Sequence, residues 1–391
     1  MKKYSILVIG IDCYFGHIKE FIINLKKKNP QAEISLVVSK SRLKNDDFSE
    51  IYGYVNRIVL HNKVKVKKGY RYDIKLLNIL FYYLEFFGLM MKGRFDIVDI
   101  HFPNKRIKYA MPFIKRMTNN IVITPWGSDV MRVEDEKSIS DMRKIYSQAN
   151  YITIGKGSPI GKCAIAKFKV NPEKMVKLGW GGEFFDFIQE KQIEVSVDEA
   201  KARFGLSDKY VITCGYNTQK EQRHAEIIDA INSVRNQLPK NLILLFPFTY
   251  GRSKKSDRYT DGLKEKCKDL CLDFVSVEDH LEMYDLLKLR MATDIFVHVQ
   301  TTDAGSRCVM EYVACNKKVV HGSWIKYSYL EDNKPSCYFP VDQIENLGSC
   351  IVNAYHSGVD ELPQKVKRTI YERGWNYKMD LWNKFFESIV S

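Results

Sequence analysis

The stretch Ile295-Phe-Val-His-Val-Gln-Thr-Thr-Asp303-Ala-Gly-Ser-Arg-Cys-Val-Met-Glu311-Tyr-Val-Ala-Cys-Asn-Lys-Lys-Val-Val320 decides how this chain is read. Ile295–Val299 is an apolar run of strand length. Ser306 to Cys315 has helical spacing and stops at Asn316, a residue that tolerates the left-handed geometry of a helix end. A second apolar run, Lys318–Val320, follows at once. Strand, loop, helix, strand is one parallel βαβ step, and ligands of open parallel sheets bind outside the carboxyl ends of the strands. Asp303 falls in that loop and Glu311, eight positions on, in the helix behind it. Paired carboxylates in such a place are acceptors for several hydroxyl groups at once, as on a sugar or a ribose.

Outward from this step the pattern recurs. Ser5–Gly10, Ile34–Val38, Arg57–Leu60, Ile97–Ile100, Ile121–Thr124 and Tyr151–Ile154 read as strands with helical stretches between them. After a polar break near Phe187–Val197 the series restarts with Tyr210–Cys214, Leu242–Phe246, Phe274–Val277, Ile295–Val299 and Lys318–His321. Helical patterns at Glu221–Arg235, Ser256–Cys271 and Leu281–Leu289 separate them. This predicts an α/β protein with two doubly wound parallel sheets, in residues 1–187 and 188–365. Residues 366–391 carry Trp375, Tyr377, Leu381, Trp382, Phe385, Phe386 and Ile389 at helical spacing, an aromatic stripe for packing.

Composition sets the outer bounds. A chain of 391 residues with 45% hydrophobic side chains is long enough for two cores and excludes disorder. Met-Lys-Lys-Tyr runs directly into the first strand, so no signal peptide is expected, and no apolar run is long enough for a membrane span. The nine cysteines are scattered without paired spacing, which predicts reduced thiols in a cytoplasmic protein and no metal site. Charge is divided unevenly. Residues 1–190 hold 33 Lys/Arg against 19 Asp/Glu, and residues 191–391 hold 28 of each, so the whole excess of +14 lies in the first half. Such a field suits an anionic partner: a phospholipid surface, a polyprenyl-pyrophosphate carrier or nucleic acid. The alternative is a solvated lysine-rich surface.

The segment around Asp303 and Glu311 resembles the acidic-x7-Glu motif of retaining GT-B glycosyltransferases, with Asp where the family carries Glu and Asn316 where it carries Gly. The resemblance implies the GT-B fold: two Rossmann-like domains facing a cleft, with the C-terminal helix crossing back to the first domain. It implies that Asp303, with Ala304, Gly305 and Ser306 of its loop, contacts the donor sugar, and that Glu311 holds the nucleotide ribose. A second motif, Cys214-Gly-Tyr-Asn-Thr-Gln-Lys-Glu-Gln-Arg-His224, runs from a strand into a helix. Gly215 permits a close turn, and the helix start offers free N–H groups to an anion. Lys220, Arg223 and His224 would neutralise a diphosphate, or else form a solvated first turn. The family-4-like Gly-Arg is absent here. Gly215-Tyr-Asn217, His224 and Phe246-Pro-Phe-Thr-Tyr250-Gly251 are similar instead to bacterial transferases of 4-acetamido-4,6-dideoxygalactose that act on polyprenyl carriers.

The first half holds matching candidates. Thr124-Pro-Trp126-Gly-Ser-Asp129 resembles the His-Gly-Ser-Asp segment of GT-B enzymes, with Trp126 in the His place. Asp129 would hold a substrate hydroxyl or cap a helix. His101, in Asp99-Ile-His-Phe-Pro103, resembles the family's Asp-x-x-His segment, and is catalytic or a buried structural histidine. The loop Gly10-Ile-Asp12-Cys-Tyr-Phe-Gly16-His17 ends the first strand, where acceptors dock; it is not a dinucleotide fingerprint. Lys63, Lys65, Lys67, Lys68, Arg71 and Lys75 precede the apolar, aromatic run Leu76–Met91. That combination is either a basic membrane-facing helix, on the inner face of the cell membrane, or a buried helix behind a solvated loop.

What the resemblance implies is transfer of a sugar, hexosyl or amino-deoxyhexosyl, from a nucleoside-diphosphate sugar to a hydroxyl of a glycan or polyprenyl-linked acceptor. Configuration is retained, no metal or other cofactor takes part, and the setting is bacterial surface polysaccharide synthesis. Arg223 would stabilise charge growing on the leaving diphosphate, as would Lys220. Two other readings stay open: a nucleotide-sugar 2-epimerase on the same fold, and a non-catalytic nucleic-acid-binding protein whose affinity falls with salt.

Overall fold

The computed structural model describes residues 1–40, 50–61, 73–251, 253–301 and 306–390. Asp303, Ala304 and Gly305 lie outside the described residues, as do Lys63, Lys65, Lys67, Lys68 and Arg71. The chain divides into two compact units, one made of Met1–Gly181 with Trp375–Ser391, the other of Gly182–Gly374.

In the first unit β1 (Ser5–Ile9), β2 (Glu33–Ser39), β3 (Arg57–His61), β4 (Ile97–His101), β5 (Ile121–Thr124) and β6 (Tyr151–Ile152) form a parallel sheet in the order β3-β2-β1-β4-β5-β6. The strands are apolar at nearly every position because both faces are covered. Leu7, Ile9, Val98, Ile100, Ile121 and Ile123 point into one core, and Ile6, Val8, Ile34, Leu36, Ile97 and Val122 into the other. The second unit repeats the plan with β7 (Tyr210–Cys214), β8 (Leu242–Pro247), β9 (Phe274–Val277), β10 (Ile295–His298), β11 (Lys318–Gly322) and β12 (Tyr338–Val341), ordered β12-β11-β10-β7-β8-β9. Among the described residues every pairing in both sheets is parallel. In each sheet the first strand of the unit sits beside the fourth, and the chain winds away in both directions from that pair. β1/β4 and β7/β10 are therefore the two topological switch points, where crevices open at the strand ends.

The expected terminal segment 366–391 is two helices belonging to different units. Gln364–Tyr371 buries Val366 and Ile370 in the second unit. Trp375–Ile389 buries Trp375, Met379, Trp382 and Phe386 in the first. The break falls at Gly374, where a Cβ would meet Asp186 Oδ1 at 2.1 Å. The terminal helix is fixed by specific bonds as well as packing. Trp382 Nε1 donates to Gly179 O at 3.0 Å, and Asn383 Oδ1 accepts from Tyr4 OH and Asn29 Nδ2, both at 3.1 Å. The compact units accordingly divide at Gly181/Gly182 and Gly374/Trp375 rather than near 187 and 365. No helix among the described residues is long and apolar enough to cross a membrane.

Candidate functional site

At the second unit's switch point the loops after β7 and β10 are tied together. Gly215 N donates to Val297 O at 3.1 Å, Thr301 N to Glu221 O at 3.1 Å, and Gln222 Nε2 to Gln300 Oε1 at 2.6 Å. Gly215 has φ +63°, and a Cβ on it would stand 2.8 Å from His224 Nε2 and 3.0 Å from Gln222 Oε1. Only glycine fits both demands. Asn217 is buried and its Oδ1 accepts from Gln219 N at 2.8 Å, closing the turn into the short helical segment Lys220–Gln222. Arg223, also left-handed at φ +61°, leads into helix His224–Ser233, whose first N–H groups have no partner within the helix.

The side chains of this loop sit in different surroundings. His224 is fully buried; its Nδ1 lies 3.2 Å from Tyr259 OH, and Nε2 has no hydrogen-bond partner. Burial pushes its pKa down to about 4. In the ligand-free fold it is therefore a neutral hydrogen-bonding ring at neutral pH. Lys220 Nζ stands 5.5 Å over the Tyr259 ring, and Arg223 stands 5.8 Å over Trp324 while Nε reaches Glu226 at 3.3 Å.

Beside this loop is a pocket of about 470 Å³ formed by second-unit residues alone. Its lining runs from Tyr216, Thr249 and Tyr250 through His280, Leu281, Leu286 and Arg290 to Ser306, Arg307, Cys308 and Glu311. Ser306 caps helix Arg307–Ala314, accepting from Cys308 N at 3.2 Å, and its own N–H donates to Tyr327 OH at 2.8 Å. At the far end Asn316 has φ +52°, so the helix closes as its sequence predicts. Glu311, one turn in, is almost wholly buried. Its Oε2 accepts from Arg290 Nε at 3.1 Å and Nη2 at 2.9 Å, while Arg290 Nη1 donates to Tyr312 OH at 3.1 Å. Among the described residues Glu311 Oε1 accepts no bond, so the residue joins a fixed end at Arg290 to an open acceptor on a pocket wall.

The first unit's switch point is built likewise. Asn104, after β4, donates to Asp12, after β1, and Cys13 Sγ donates to His101 O at 3.4 Å. Gly16 is in helix Phe15–Lys28, where a Cβ would press on the Tyr14 ring at 2.8 Å. His17 and Trp126 come together, their rings 5.5 Å apart. His101 is buried, bonded through Nε2 to Asp99 Oδ2 at 2.9 Å and enclosed by Phe21, Trp126, Trp180 and Trp382. Asp129 is not the N-cap of its helix. It lies inside Ser128–Met131 and its Oδ1 accepts from Trp126 N at 2.9 Å and Gly127 N at 2.7 Å, locking the turn. Burial raises its carboxyl to about 6.

Sequence reading thus located Tyr250, Ser306 and Glu311 on the pocket wall and Gly215, Asn217 and His224 in the adjoining loop. It missed Tyr216, Thr249, His280, Arg290 and Arg307. A signal existed for one of them: Arg290 stands in Leu286-Leu-Lys-Leu-Arg-Met-Ala292, where a cation among apolar neighbours calls for a buried partner.

No protein-family model matches the sequence, and no curated protein matches it. Solved structures do match along the whole length. A glycosyltransferase from Rickettsia africae superposes with a TM-score of 0.75 at 14% identity, covering 100% of both chains. HepE from Anabaena, in complex with UDP and glucose, gives 0.64 at 12% identity, covering 98% of this chain and 100% of that one. The fold is GT-B. A third GT-B neighbour is the UDP-GlcNAc 2-epimerase of Methanocaldococcus jannaschii, with a TM-score of 0.62 at 13% identity over 99% of this chain and 100% of that chain. At these identities the likeness is one of fold, and the chemistry has to be argued from the residues.

Proposed function

We propose that this chain is a retaining glycosyltransferase that takes a sugar from a nucleoside diphosphate and passes it to a hydroxyl of a glycan or polyprenyl-linked acceptor. The observation that carries the proposal is the second unit's pocket at the β7/β10 switch point, lined both by Glu311, anchored by Arg290, and by aromatic and apolar side chains. A nucleoside has these two halves, a flat ring and a ribose with two hydroxyls. The complex of HepE with UDP and glucose, on the same fold, supports the same ligand class.

Residue roles follow from position. Glu311 holds the ribose. Tyr216 and Tyr250 flank the base, with Tyr216 stacked 5.8 Å from the buried ring of His298 and so held in place. The diphosphate lies at the turn Gly215–Asn217 and the start of helix His224–Ser233, where N–H groups, Lys220 and Arg223 oppose the charge that grows as the bond to the sugar breaks. By the resemblance of their motif, rather than by position, Asp303, with Ala304, Gly305 and Ser306, contacts the sugar. In the first unit Asp12, Gly16, His17 and Trp126 form the acceptor side, with His101 against the Trp126 ring and Asp129 accepting from the Trp126 N–H. Among the described residues no carboxylate is placed as a nucleophile, so departure and attack on one face is the proposed route, without a metal. The setting proposed is surface polysaccharide synthesis at the inner face of a bacterial membrane, consistent with the basic first half.

The test is thermal melting with UDP, dTDP, GDP and CMP. A ligand bound only by the folded state raises the midpoint. A rise with one diphosphate, lost in Glu311→Gln, is the expected result; no rise with any of them at millimolar concentration and low salt overturns the reading. The epimerase on this fold favours a second reading. Conversion of a nucleotide sugar to its 2-epimer in the absence of any acceptor would decide for it.

A further inference from the structure

Helix Asp73–Met90 has two apolar faces. One buries Tyr82, Phe86 and Leu89 in the core of the first unit. The other presents Leu80 (52% exposed), Tyr83 (39%), Leu84 (56%), Phe87 (48%) and, one residue past the helix, Met91 (68%) to solvent. Their spacing of three and four makes a single stripe along the helix. The stripe widens onto the next helix, Met111–Met117. Phe113 packs edge-on against Tyr83 at 5.5 Å and Phe87 at 6.3 Å, and Tyr109 stands 6.2 Å from Tyr83. A contiguous apolar surface of this kind is unusual on a protein that meets only water.

The charges around it are mostly of one sign. Lys92 and Arg94 follow the helix, and Lys115 and Arg116 are exposed on Met111–Met117. Lys108 lies 5.0 Å over the Tyr109 ring and is paired with Asp141 at 2.7 Å, so Lys92, Arg94, Lys115 and Arg116 carry the excess. Residues 73–117 hold eight Lys/Arg against four Asp/Glu. Three of those acids are already engaged: Asp99 is buried, Glu85 pairs with His61 at 2.5 Å, and Asp96 accepts from Ser5. A second copy of the chain docking through this face would bring like charges together, since a two-fold interface meets itself. An anionic surface is matched by them.

We infer that the stripe Leu80–Met91 is a bilayer-docking surface that inserts Leu84, Phe87 and Met91 among the acyl chains of anionic phospholipid, with Tyr83 and Tyr109 at headgroup level and the flanking Lys and Arg on phosphates. The inference deepens the reading of a polyprenyl-linked acceptor and rests on it for its purpose, since a docked enzyme meets such an acceptor in two dimensions.

The test is flotation of the full chain with vesicles of phosphatidylcholine, with or without about 30% phosphatidylglycerol. The native protein is expected to float with the anionic vesicles and to be released by salt. The double variant Leu84→Glu/Phe87→Glu changes exposed side chains only, so its melting temperature should match the native value while its vesicle binding falls about tenfold or more. Equal flotation of variant and native protein overturns the inference. So does absence of native binding, and so does light scattering that shows a native dimer split by the variant. Lipid binding is read without any nucleotide, so a failure here leaves the melting shift with nucleoside diphosphates intact, and a failure of the donor reading leaves flotation intact.

Discussion

Glu311 and Arg290 form a buried ion pair whose two members answer differently to substitution. Removing the carboxylate leaves, among the described residues, a buried guanidinium hydrogen-bonded through its side chain to Tyr312 OH alone. Glu311→Ala should therefore cost about 3–5 kcal/mol of stability, whereas Glu311→Gln keeps an acceptor and should lose nucleotide binding with a smaller loss. Urea titration beside ligand-induced melting separates the two effects. Buried titrating groups make a second prediction. Asp129, raised to about 6, stays protonated in the folded state over a range where the unfolded chain has lost its proton. Its contribution therefore declines as pH rises from about 4 to about 6. His224, lowered to about 4, refuses a proton that the unfolded chain takes up, so its contribution declines as pH falls from about 6.5 to about 4. Each amounts to about 3 kcal/mol at most, and in the native protein they oppose one another. Asp129→Asn should expose the loss at low pH and His224→Gln the loss at high pH; identical pH profiles for all three proteins would refute both assignments.

Elements were legible where local chemistry alone decides them. Eleven strands of the twelve found among the described residues are apolar runs bounded by polar turns, and the structure reproduces them to within a residue or two. The twelfth, Tyr338–Val341, is short and holds Pro340, which argues against a strand from sequence. It is tolerated because β12 lies at the sheet edge. The break at Gly374 was equally hidden, since its cause is Asp186, far away in sequence. At this scale Gly215→Ala is a sharp test. A Cβ at φ +63° strains the backbone and strikes His224 and Gln222, so a loss of about 1–3 kcal/mol is expected together with loss of the nucleotide-induced shift. Trp382→Ala empties a large site between Phe21, His101 and Phe386 and should cost about 3–5 kcal/mol, read by chemical denaturation.

For the molecule as a whole, two units with separate cores are expected to melt in two transitions in calorimetry. Trp382→Ala should lower one of them, and the bound nucleoside diphosphate should raise the other, because terminal helix and pocket belong to different units. Sequence by itself determined the doubly wound α/β class, the repeat of the plan in two halves, the basic first half and the carboxylate at Glu311. Strand periodicity, turn residues and net charge are local or additive properties, and they survive being read along a line. Tertiary structure alone decided that Arg290 fixes Glu311, that His224 is buried and neutral, that Asp129 locks a turn, and that the face of Leu80–Met91 opposite the core is bare. Each of these depends on what other segments cover, and burial, unlike charge or periodicity, belongs to no residue until the chain has folded around it.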